Sequence, residues 1–267
     1  MPLYDLSPSP DNLLRAFEIG HGAMISLVGG GGKTTLMYAL AQQVSRGGAE
    51  VITTTTTKIF PPRKEDSPYL LVTSGDRVNE KEIADLLRIY RHITIVFEVL
   101  ASGKLRGISP EFAMALTSIS PRPSIIIEAD GSAQRPLKVP REGEPVIPEA
   151  STLVIVIAGL DGYGRPLDEK TVFSVQRFSE ITGVSPGQPI TAEAIADIIT
   201  HPQGLTKGVS QDARIVVFLN KVDVEGGLKA GERVAQEIFK RKDPRIDRVI
   251  LGSLMDRPPY LRMLNLS

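Results

Sequence analysis

The stretch ISLVGGGGKTTLM, residues 25 to 37, places four consecutive glycines between an apolar run and a lysine followed by two threonines. Glycine loses more backbone entropy on folding than any other residue, so four in a row need a physical reason. A strand that ends at Val28, followed by glycines and by a helix that opens at Lys33, is the arrangement of a phosphate-binding loop. The alternative is a flexible hairpin tip, but the flanking strand and helix favour phosphate binding.

Each residue type in this loop is suited to bind a nucleoside triphosphate with Mg²⁺. Glycines allow backbone N–H groups to converge on phosphate oxygens, and a helix N-terminus adds partial positive charge. We expect Lys33 to reach the terminal phosphates and Thr34 to offer its hydroxyl to Mg²⁺. The predicted nucleotide-binding residues of the loop are Gly29, Gly30, Gly31, Gly32, Lys33, Thr34 and Thr35.

The loop departs from the full G-x-x-x-x-G-K-[ST] pattern, because Leu27 stands where the first glycine would be. It is similar to the shorter G-x-x-G-K-T loop of Mur-type ligases. It also resembles the K-G-G-x-G-K-T-T loop of the MinD and nitrogenase iron-protein group, except that Val28 replaces the signature lysine. The loop therefore predicts a bound triphosphate and leaves the base and the substrate open.

Short β-branched runs alternate with helical patterns along the chain. The candidate strands are 23–28, 50–56, 69–74, 92–98, 124–130, 152–160, 214–220 and 248–253, and the candidate helices are 12–17, 33–46, 79–90, 110–117, 168–182, 191–200 and 227–240. Most of these strands are apolar on successive residues, as in a sheet covered on both faces. We predict an α/β fold with a doubly wound, mostly parallel sheet flanked by helices, similar to P-loop NTPases, in one domain over 1–267 with a short lead, 1–22.

Acidic residues follow the candidate strand at 124–130. Carboxylates at the carboxyl end of a strand beside a phosphate loop can hold Mg²⁺ and orient an attacking water. We expect Asp130 to bind the metal together with Thr34, and Glu128 to bind the metal or to position water. The predicted catalytic residues are therefore Lys33, Asp130 and Glu128. The alternative for this Asp-Gly pair is an ordinary turn or helix cap.

The segment RIVVFLNKVD places Asn220, Lys221 and Asp223 directly after another buried strand. In GTP-binding proteins, the Asn of N-K-x-D contacts the guanine edge, the Lys stem packs along the base, and the Asp accepts from N1 and the exocyclic amine. The pattern is short, but its place after a strand strengthens it. We therefore favour GTP over ATP; the alternative is a turn that leads into the next helix.

Three further segments offer hydroxyls and cations for an anionic substrate. The threonine run VITTTTTKIF would bring Thr56 and Lys58 towards the terminal phosphate, although an ordinary strand explains most of its threonines. The segment 101–111 carries Lys104 and Arg106. The segment after Asp130 carries Arg135 and Lys138, which would meet a phosphate or an anionic substrate, or be solvated loop charges.

Composition excludes several classes of function. Lys and Arg total 31 and Asp and Glu total 31, so no global field favours nucleic acid or an anionic membrane. The absence of cysteine and the three scattered histidines disfavour a zinc or soft-metal site. The N-terminal segment has neither a basic leader nor a long apolar core, which predicts a soluble, cytoplasmic protein.

Taken in order, VGGGGKTT, ITTTTTK, GKLRGISPE, EADGSAQRPLKVP, GLDGYGRPL and NKVD resemble the YqeC family, accessory proteins of selenium-dependent molybdenum hydroxylases. The resemblance implies a P-loop NTPase that acts in the maturation of such an enzyme, on the enzyme or on its anionic cofactor. Two other functions stay open. One is transfer of the terminal phosphoryl group, or a ligation, with a small anionic acceptor. The other is a nucleotide-gated binding module with negligible turnover.

Overall fold

The computed structural model describes residues 4–5, 12–73, 75, 77–256 and 259–265. The helices are α1 (Asn12–Phe17), α2 (Lys33–Arg46), α3 (Glu80–Tyr90), α4 (Pro110–Ala115), α5 (Val175–Thr182), α6 (Ala192–Thr200) and α7 (Gly227–Lys240). The strands are β1 (Tyr4–Asp5), β2 (Met24–Gly29), β3 (Val51–Thr55), β4 (Lys58–Ile59), β5 (Leu70–Val72), β6 (His92–Val96), β7 (Glu98–Val99), β8 (Leu105–Arg106), β9 (Ser124–Glu128), β10 (Leu137–Lys138), β11 (Leu153–Gly159), β12 (Val172–Phe173), β13 (Arg214–Asn220), β14 (Ile246–Ser253) and β15 (Tyr260–Asn265).

One large sheet organises the fold. Its strand order is β1-β15-β14-β13-β11-β2-β9-β3-β6-β5. The eight strands from β14 to β5 are parallel, and β15 and β1 are antiparallel at one edge. Strand β2 is central, with β9 on one side and β11 on the other. The chain first builds the β3 side of β2 and later crosses to the β11 side, which creates a switch point at the carboxyl end of β2.

The prediction of an α/β fold with a mostly parallel sheet is confirmed. All eight candidate strands are present, and they are the eight parallel strands of the sheet. The helix predicted over 168–182 is wrong in its first half. Asp168 accepts hydrogen bonds from the N–H groups of Lys170 and Thr171 in a turn, Val172–Phe173 forms a strand with β10, and the helix begins at Val175.

Helices cover both faces of the large sheet. Alternate residues of each strand point to opposite faces, so Ile25 and Leu27 of β2 pack with α1 and α2, whereas Val28 packs in the cluster that contains α5, α6 and α7. Helices α3 and α4 pack with Met24 of β2 in a third cluster. This double coverage explains why the strands are apolar on successive residues. Within the described ranges, no helix is long and apolar enough to cross a membrane.

Two small sheets lie outside the large one. Strands β4, β8 and β7 form an antiparallel three-stranded sheet, and β10 and β12 form a parallel pair. The first is joined to the end of β3, because the N–H of Gly107 donates to Thr57 O and the N–H of Ile108 donates to Thr55 O. The second follows Asp130 along the chain. Both small sheets are therefore tied to strand ends at the carboxyl edge of the large sheet.

A buried histidine makes the stability of this fold depend on pH. His92 is 2% exposed, and burial lowers its pKa from 6.5 to about 4. As the pH falls from about 7 to 4.5, His92 becomes protonated in the unfolded chain but stays mostly neutral in the folded chain. The free energy of unfolding therefore falls. We expect His92→Gln to reduce this loss in unfolding free energy by about 2 kcal/mol, measured by urea unfolding. Exposed His21, changed to Gln, is the control; an unchanged pH profile in His92→Gln would contradict the prediction.

Candidate functional site

The candidate site lies where four neighbouring parallel strands end. Strands β9, β2, β11 and β13 end at Glu128, Gly29, Gly159 and Asn220. Ligands of open α/β sheets bind at this carboxyl edge, beside the point where the strand order reverses. The parallel sheet thus brings together side chains that are about 100 to 190 residues apart in sequence.

The glycine loop, residues 29–32, joins β2 to α2 through a close-packed turn. Gly29, Gly31 and Gly32 have φ values of 103°, 79° and 136°, which side-chain-bearing residues rarely adopt. A Cβ atom on Gly30 would lie 2.8 Å from the carbonyl oxygens of Arg135 and Pro136, and one on Gly31 would lie 2.5 Å from the Cα of Gly159. The four glycines are therefore required by backbone conformation and by the packing of neighbouring loops.

The amide groups of the loop fall into two sets. The N–H groups of Gly29, Gly30 and Gly31 donate to Asp130 Oδ2 (3.1 Å), Ile157 O (2.9 Å) and Arg135 O (3.0 Å). In the described part of the chain, the N–H groups of residues 32–34, at the start of α2, have no acceptor. Unpaired N–H groups at a helix N-terminus attract an anion.

Lys33 places its ammonium group beside this set of free amides. Its Nζ donates to Gly29 O at 2.6 Å and lies 3.2 Å from Asp130 Oδ1 and 3.8 Å from Glu128 Oε1. The residue is only 3% exposed. Two acidic side chains and one carbonyl hold this buried ammonium in place. It therefore has much less conformational freedom than the ammonium of a surface lysine.

Glu128 is the second carboxylate near Lys33, and it is hydrogen-bonded to Thr34. We call the carboxylates of Glu128 and Asp130 the acidic group. Thr34 Oγ1 donates to Glu128 Oε2 at 2.6 Å. Burial raises the pKa of the Glu128 carboxyl above its usual range, opposed by the charge of Lys33 and the Thr34 hydrogen bond. A divalent cation would favour the ionised form, because it replaces the lost hydration of the carboxylate.

The oxygen atoms of Asp130, Glu128 and Thr34 fit Mg²⁺ bound together with phosphate and water better than they fit a metal ion bound by protein side chains alone. Among the described residues, no cluster contains three His, Cys, Asp or Glu side chains placed to hold a metal. Mg²⁺ is commonly bound by one or two carboxylates together with phosphate oxygens and water. Glu128 and the Thr34 hydroxyl could supply part of such a set beside the free amides of α2, and Asp130 could join them by giving up a contact with one of its two ammonium partners.

Lys138 extends the charge network behind Asp130. Its side chain is fully buried, and its Nζ lies 3.3 Å from Asp130 Oδ2 and 2.8 Å from Glu144 Oε2 and donates to Gly131 O. Asp130 therefore lies between two ammonium groups, those of Lys33 and Lys138, while both of its oxygens accept from the N–H of Gly29. This carboxylate connects the glycine loop to the segment that follows β9.

Asn220 ties the end of β13 to the glycine loop. Its Nδ2 donates to Gly31 O at 2.8 Å, whereas its Oδ1 is buried and has no partner in the described part of the chain. Lys221, with a left-handed φ of 71°, pairs with Asp161 Oδ2 at 2.7 Å. Asp223 is exposed. Of the three N-K-x-D residues, Asn220 therefore contacts the glycine loop and Asp223 faces solvent.

The remaining predicted residues divide between the site and its surroundings. Thr56 Oγ1 donates to Val146 O, and the Thr56 N–H donates to Glu128 O, so this threonine lies at the site. Thr35 is exposed on α2. Lys58 and Arg106 lie on the small sheet β4-β8-β7, and Lys104 lies in the connection between β7 and β8. Lys104 lies over the Phe60 ring, and Arg106 pairs with Glu98 at 3.0 Å. Among the described residues, no ion pair or hydrogen bond joins these three cations to Glu128 or Asp130.

Comparison with known proteins places the chain in a family. The model of the YqeC protein family matches residues 25–176, more than half of the chain. The chain belongs to the YqeC family. “Uncharacterized protein YqeC” of Escherichia coli (strain K12) is 32% identical over 160 residues, which cover 60% of this chain and 61% of that relative, less than two thirds of its length. No solved structure matches the chain.

The region that matches the YqeC family holds the glycine loop and the acidic group, but not N-K-x-D. The match ends at residue 176, whereas Asn220 lies more than 40 residues further on. A base read by Asn220 and Asp223 therefore involves a part of the chain outside the matched region. The glycine loop and the carboxylates of Glu128 and Asp130 lie within it.

Sequence reasoning missed two acidic partners at this site. Asp161 pairs with Lys221, and its Oδ1 is buried without a partner among the described residues. Glu144 pairs with Lys138. The signal for Asp161 was present, because it follows the predicted strand 152–160 at the same sheet edge as Glu128. Glu144 gave no such signal, since it lies in a proline- and glycine-rich segment far from a strand end.

Proposed function

We propose that this protein binds and hydrolyses a nucleoside triphosphate in a Mg²⁺-dependent reaction, with a P-loop at residues 29–34. The observation that carries the proposal is the set of free N–H groups at residues 32–34 beside the buried ammonium of Lys33. These groups offer donors and positive charge for the phosphates. Thr34 and Asp130 are the proposed metal ligands, and the carboxyl of Glu128 would position the attacking water or share the metal.

GTP is the preferred nucleotide in this proposal, with ATP as the alternative. Asn220 is supported by its contact with Gly31, since the same side chain then lies between the phosphate loop and a base beyond it. Lys221, held by Asp161, would pack its stem along the base. Asp223 would accept from N1 and the exocyclic amine of guanine, which adenine cannot satisfy.

The base assignment predicts a selective loss of GTP affinity. We expect Asp223→Ala to weaken GTP binding by about 10- to 100-fold, because hydrogen bonds to a charged acceptor contribute about 1.5–3 kcal/mol. ATP binding should stay unchanged. Titration calorimetry with non-hydrolysable GTP and ATP analogues measures both, and Glu225→Ala, another exposed acid two residues away, is the control. Equal losses for the two nucleotides would defeat the guanine assignment.

The physiological role that we propose is that of an accessory protein in maturation of a selenium-dependent molybdenum hydroxylase. This role rests on the resemblance of the motifs to the YqeC family and not on the geometry of the site. The chain contains no cysteine, so it lacks the soft thiolate ligands with which a protein would carry molybdenum or selenium itself. A role with the anionic part of the cofactor, or with the client enzyme, fits this composition better.

A second candidate function is transfer of the terminal phosphoryl group to a small anionic acceptor. The observation that favours it is the exposed guanidinium of Arg141, which lies over the Phe173 ring next to Lys138 and forms no ion pair among the described residues. Simple hydrolysis requires no such group. Positive charge beyond the metal site is suited to an acceptor that carries negative charge of its own.

Phosphate release separates the candidate functions. We expect the purified chain with GTP and Mg²⁺ to release inorganic phosphate without an added acceptor, and to lose this activity when EDTA removes Mg²⁺. Formation of GDP without free phosphate, seen only after addition of an extract of small molecules, would indicate phosphoryl transfer, because the phosphoryl group then stays on the acceptor. Phosphate release only with the extract would indicate ligation. Tight nucleotide binding with neither GDP formation nor phosphate release in either condition would indicate a binding module. Absence of both binding and release would overturn the proposed function.

A further inference from the structure

A second group of cations surrounds one aromatic ring close to the glycine loop. Strand β10 pairs with β12, which places the ring of Phe173 near three positive side chains. The cationic centres of Arg141, Lys138 and Arg135 lie 4.2, 5.1 and 6.0 Å from the ring centroid. These distances are within the range of cation–π attraction. We call these four residues the Phe173 cluster.

The charge of the Phe173 cluster is only partly compensated. Lys138 pairs with the carboxylates of Asp130 and Glu144, and Glu144 also accepts from the main-chain N–H of Arg141. Arg135 donates from Nε and Nη1 to the main-chain oxygens of Glu169 and Ala133. Among the described residues, neither Arg135 nor Arg141 forms an ion pair with a carboxylate. Two guanidinium groups are therefore held around one ring without a counter-charge of their own.

Two other arginines, by contrast, each have a carboxylate partner. Arg106 pairs with Glu98 at 3.0 Å, and Arg241 pairs with Asp197 at 2.7 Å. Like charges repel when they are brought together, and an external anion relieves that repulsion. Guanidinium groups bind phosphate through paired N–H donors, which gives geometry as well as charge. The neighbouring Ser174 hydroxyl is buried without a partner in the described part of the chain, and an anionic oxygen would complete its hydrogen bonding.

The Phe173 cluster is joined to the glycine loop by main-chain and side-chain contacts. The carbonyl oxygen of Arg135 accepts from the N–H of Gly31 at 3.0 Å. Lys138 contacts Asp130, which in turn contacts Lys33. An anion at the cluster would therefore lie next to the loop residues that hold the phosphates of a nucleotide.

We propose that the Phe173 cluster binds a small organic molecule that carries a phosphate group, as a second ligand beside the phosphate loop. Arg141, which is exposed, and Arg135 bind the phosphate, and Lys138 fixes the position of the cluster relative to Asp130. Binding of this ligand does not require nucleotide. Its role as acceptor or client group for the terminal phosphate rests on the proposed function.

Phenyl phosphate is a suitable probe, because it carries a phosphate group but neither the base nor the ribose of a nucleotide. We expect titration calorimetry on the full chain to show one site, with binding weakened at least about tenfold in Arg141→Gln and in Arg135→Gln. Arg46→Gln, an exposed arginine at the end of α2, is the control and should bind as the unchanged chain does. Benzoate, a monoanion of similar shape, should bind at least about tenfold more weakly, since it offers fewer charged oxygens to the paired donors.

Lys33→Met separates this inference from the proposed function. In that variant we expect nucleotide binding to be lost and phenyl phosphate binding to stay within about threefold. Loss of phenyl phosphate binding in Lys33→Met, but not in the arginine variants, would place the anion on the glycine loop and overturn the inference. No saturable binding, or equal binding of benzoate, would also overturn it. Because Arg141 is exposed, Arg141→Gln is expected to fold, so the result stands even if Arg135→Gln is unstable.

Discussion

Replacing Lys33 with methionine is expected to weaken nucleoside triphosphate binding by at least about 100-fold and to abolish phosphate release. The reason is burial, since the ammonium is 3% exposed and lies 2.6 Å from Gly29 O and 3.2 Å from Asp130. When a triphosphate is bound, this pre-positioned ammonium would bind its phosphate oxygens, and loss of one partner of such a buried, charge-assisted contact costs about 2–5 kcal/mol of binding free energy. Methionine keeps the apolar stem, so the change removes the charge with little loss of packing. Calorimetry and phosphate release measure the two effects.

Lys229→Met is the matched control for this prediction. Lys229 lies on α7 and is exposed, so its removal should leave nucleotide binding and stability unchanged. A melting curve of Lys33→Met distinguishes lost binding from lost folding. Full nucleotide binding in a folded Lys33→Met protein would defeat the phosphate-loop assignment itself.

The large sheet could be predicted because its signals are local. Each of the eight parallel strands is an apolar run that is recognisable on its own, and their alternation with helices indicates the parallel topology. Strands β1 and β15 were missed, as were the two-residue strands of the small sheets. Strands β15, β7 and β8 have partners nearby in sequence and were missed all the same. Partners far away in sequence define β1, β4, β10 and β12. The error at 168–182 has the same cause. Val172–Phe173 pairs with β10, and this distant contact prevails over a local helical pattern.

The site could be predicted only as far as strand ends determine it. Gly29, Glu128 and Asn220 meet because parallel strands share a carboxyl edge, and their hydrogen bonds follow from that. The pairing of Lys138 with Glu144, and the gathering of arginines at Phe173, depend on how two loops fold back on the sheet. The spacing of residues along the sequence does not predict such contacts. For the same reason the sequence alone did not distinguish the roles of Arg106 and Arg135. In the structure, the main-chain carbonyl of Arg135 contacts the glycine loop, whereas Arg106 pairs with Glu98.

The two carboxyl groups of the site are expected to differ in how much their charge contributes to stability. Asp130→Asn should lower the free energy of unfolding by about 3–5 kcal/mol, because it breaks buried ion pairs and leaves the ammonium of Lys33 and that of Lys138 without their shared carboxylate. Glu128→Gln should change stability by less than about 1 kcal/mol, since burial already favours the neutral form and the amide oxygen can still accept from Thr34.

Activity should not follow stability in these two variants. Both remove a carboxylate from the proposed metal and water site, so both should lose Mg²⁺-dependent phosphate release, while only Asp130→Asn is destabilised. Urea unfolding and phosphate release measure the pair, with exposed Asp212→Asn as the control for a simple loss of charge. A stable, inactive Glu128→Gln protein shows that the carboxylate is retained for chemistry, since it adds nothing to folding. A destabilised but active Glu128→Gln protein would assign Glu128 to the structure of the loop and remove it from the mechanism.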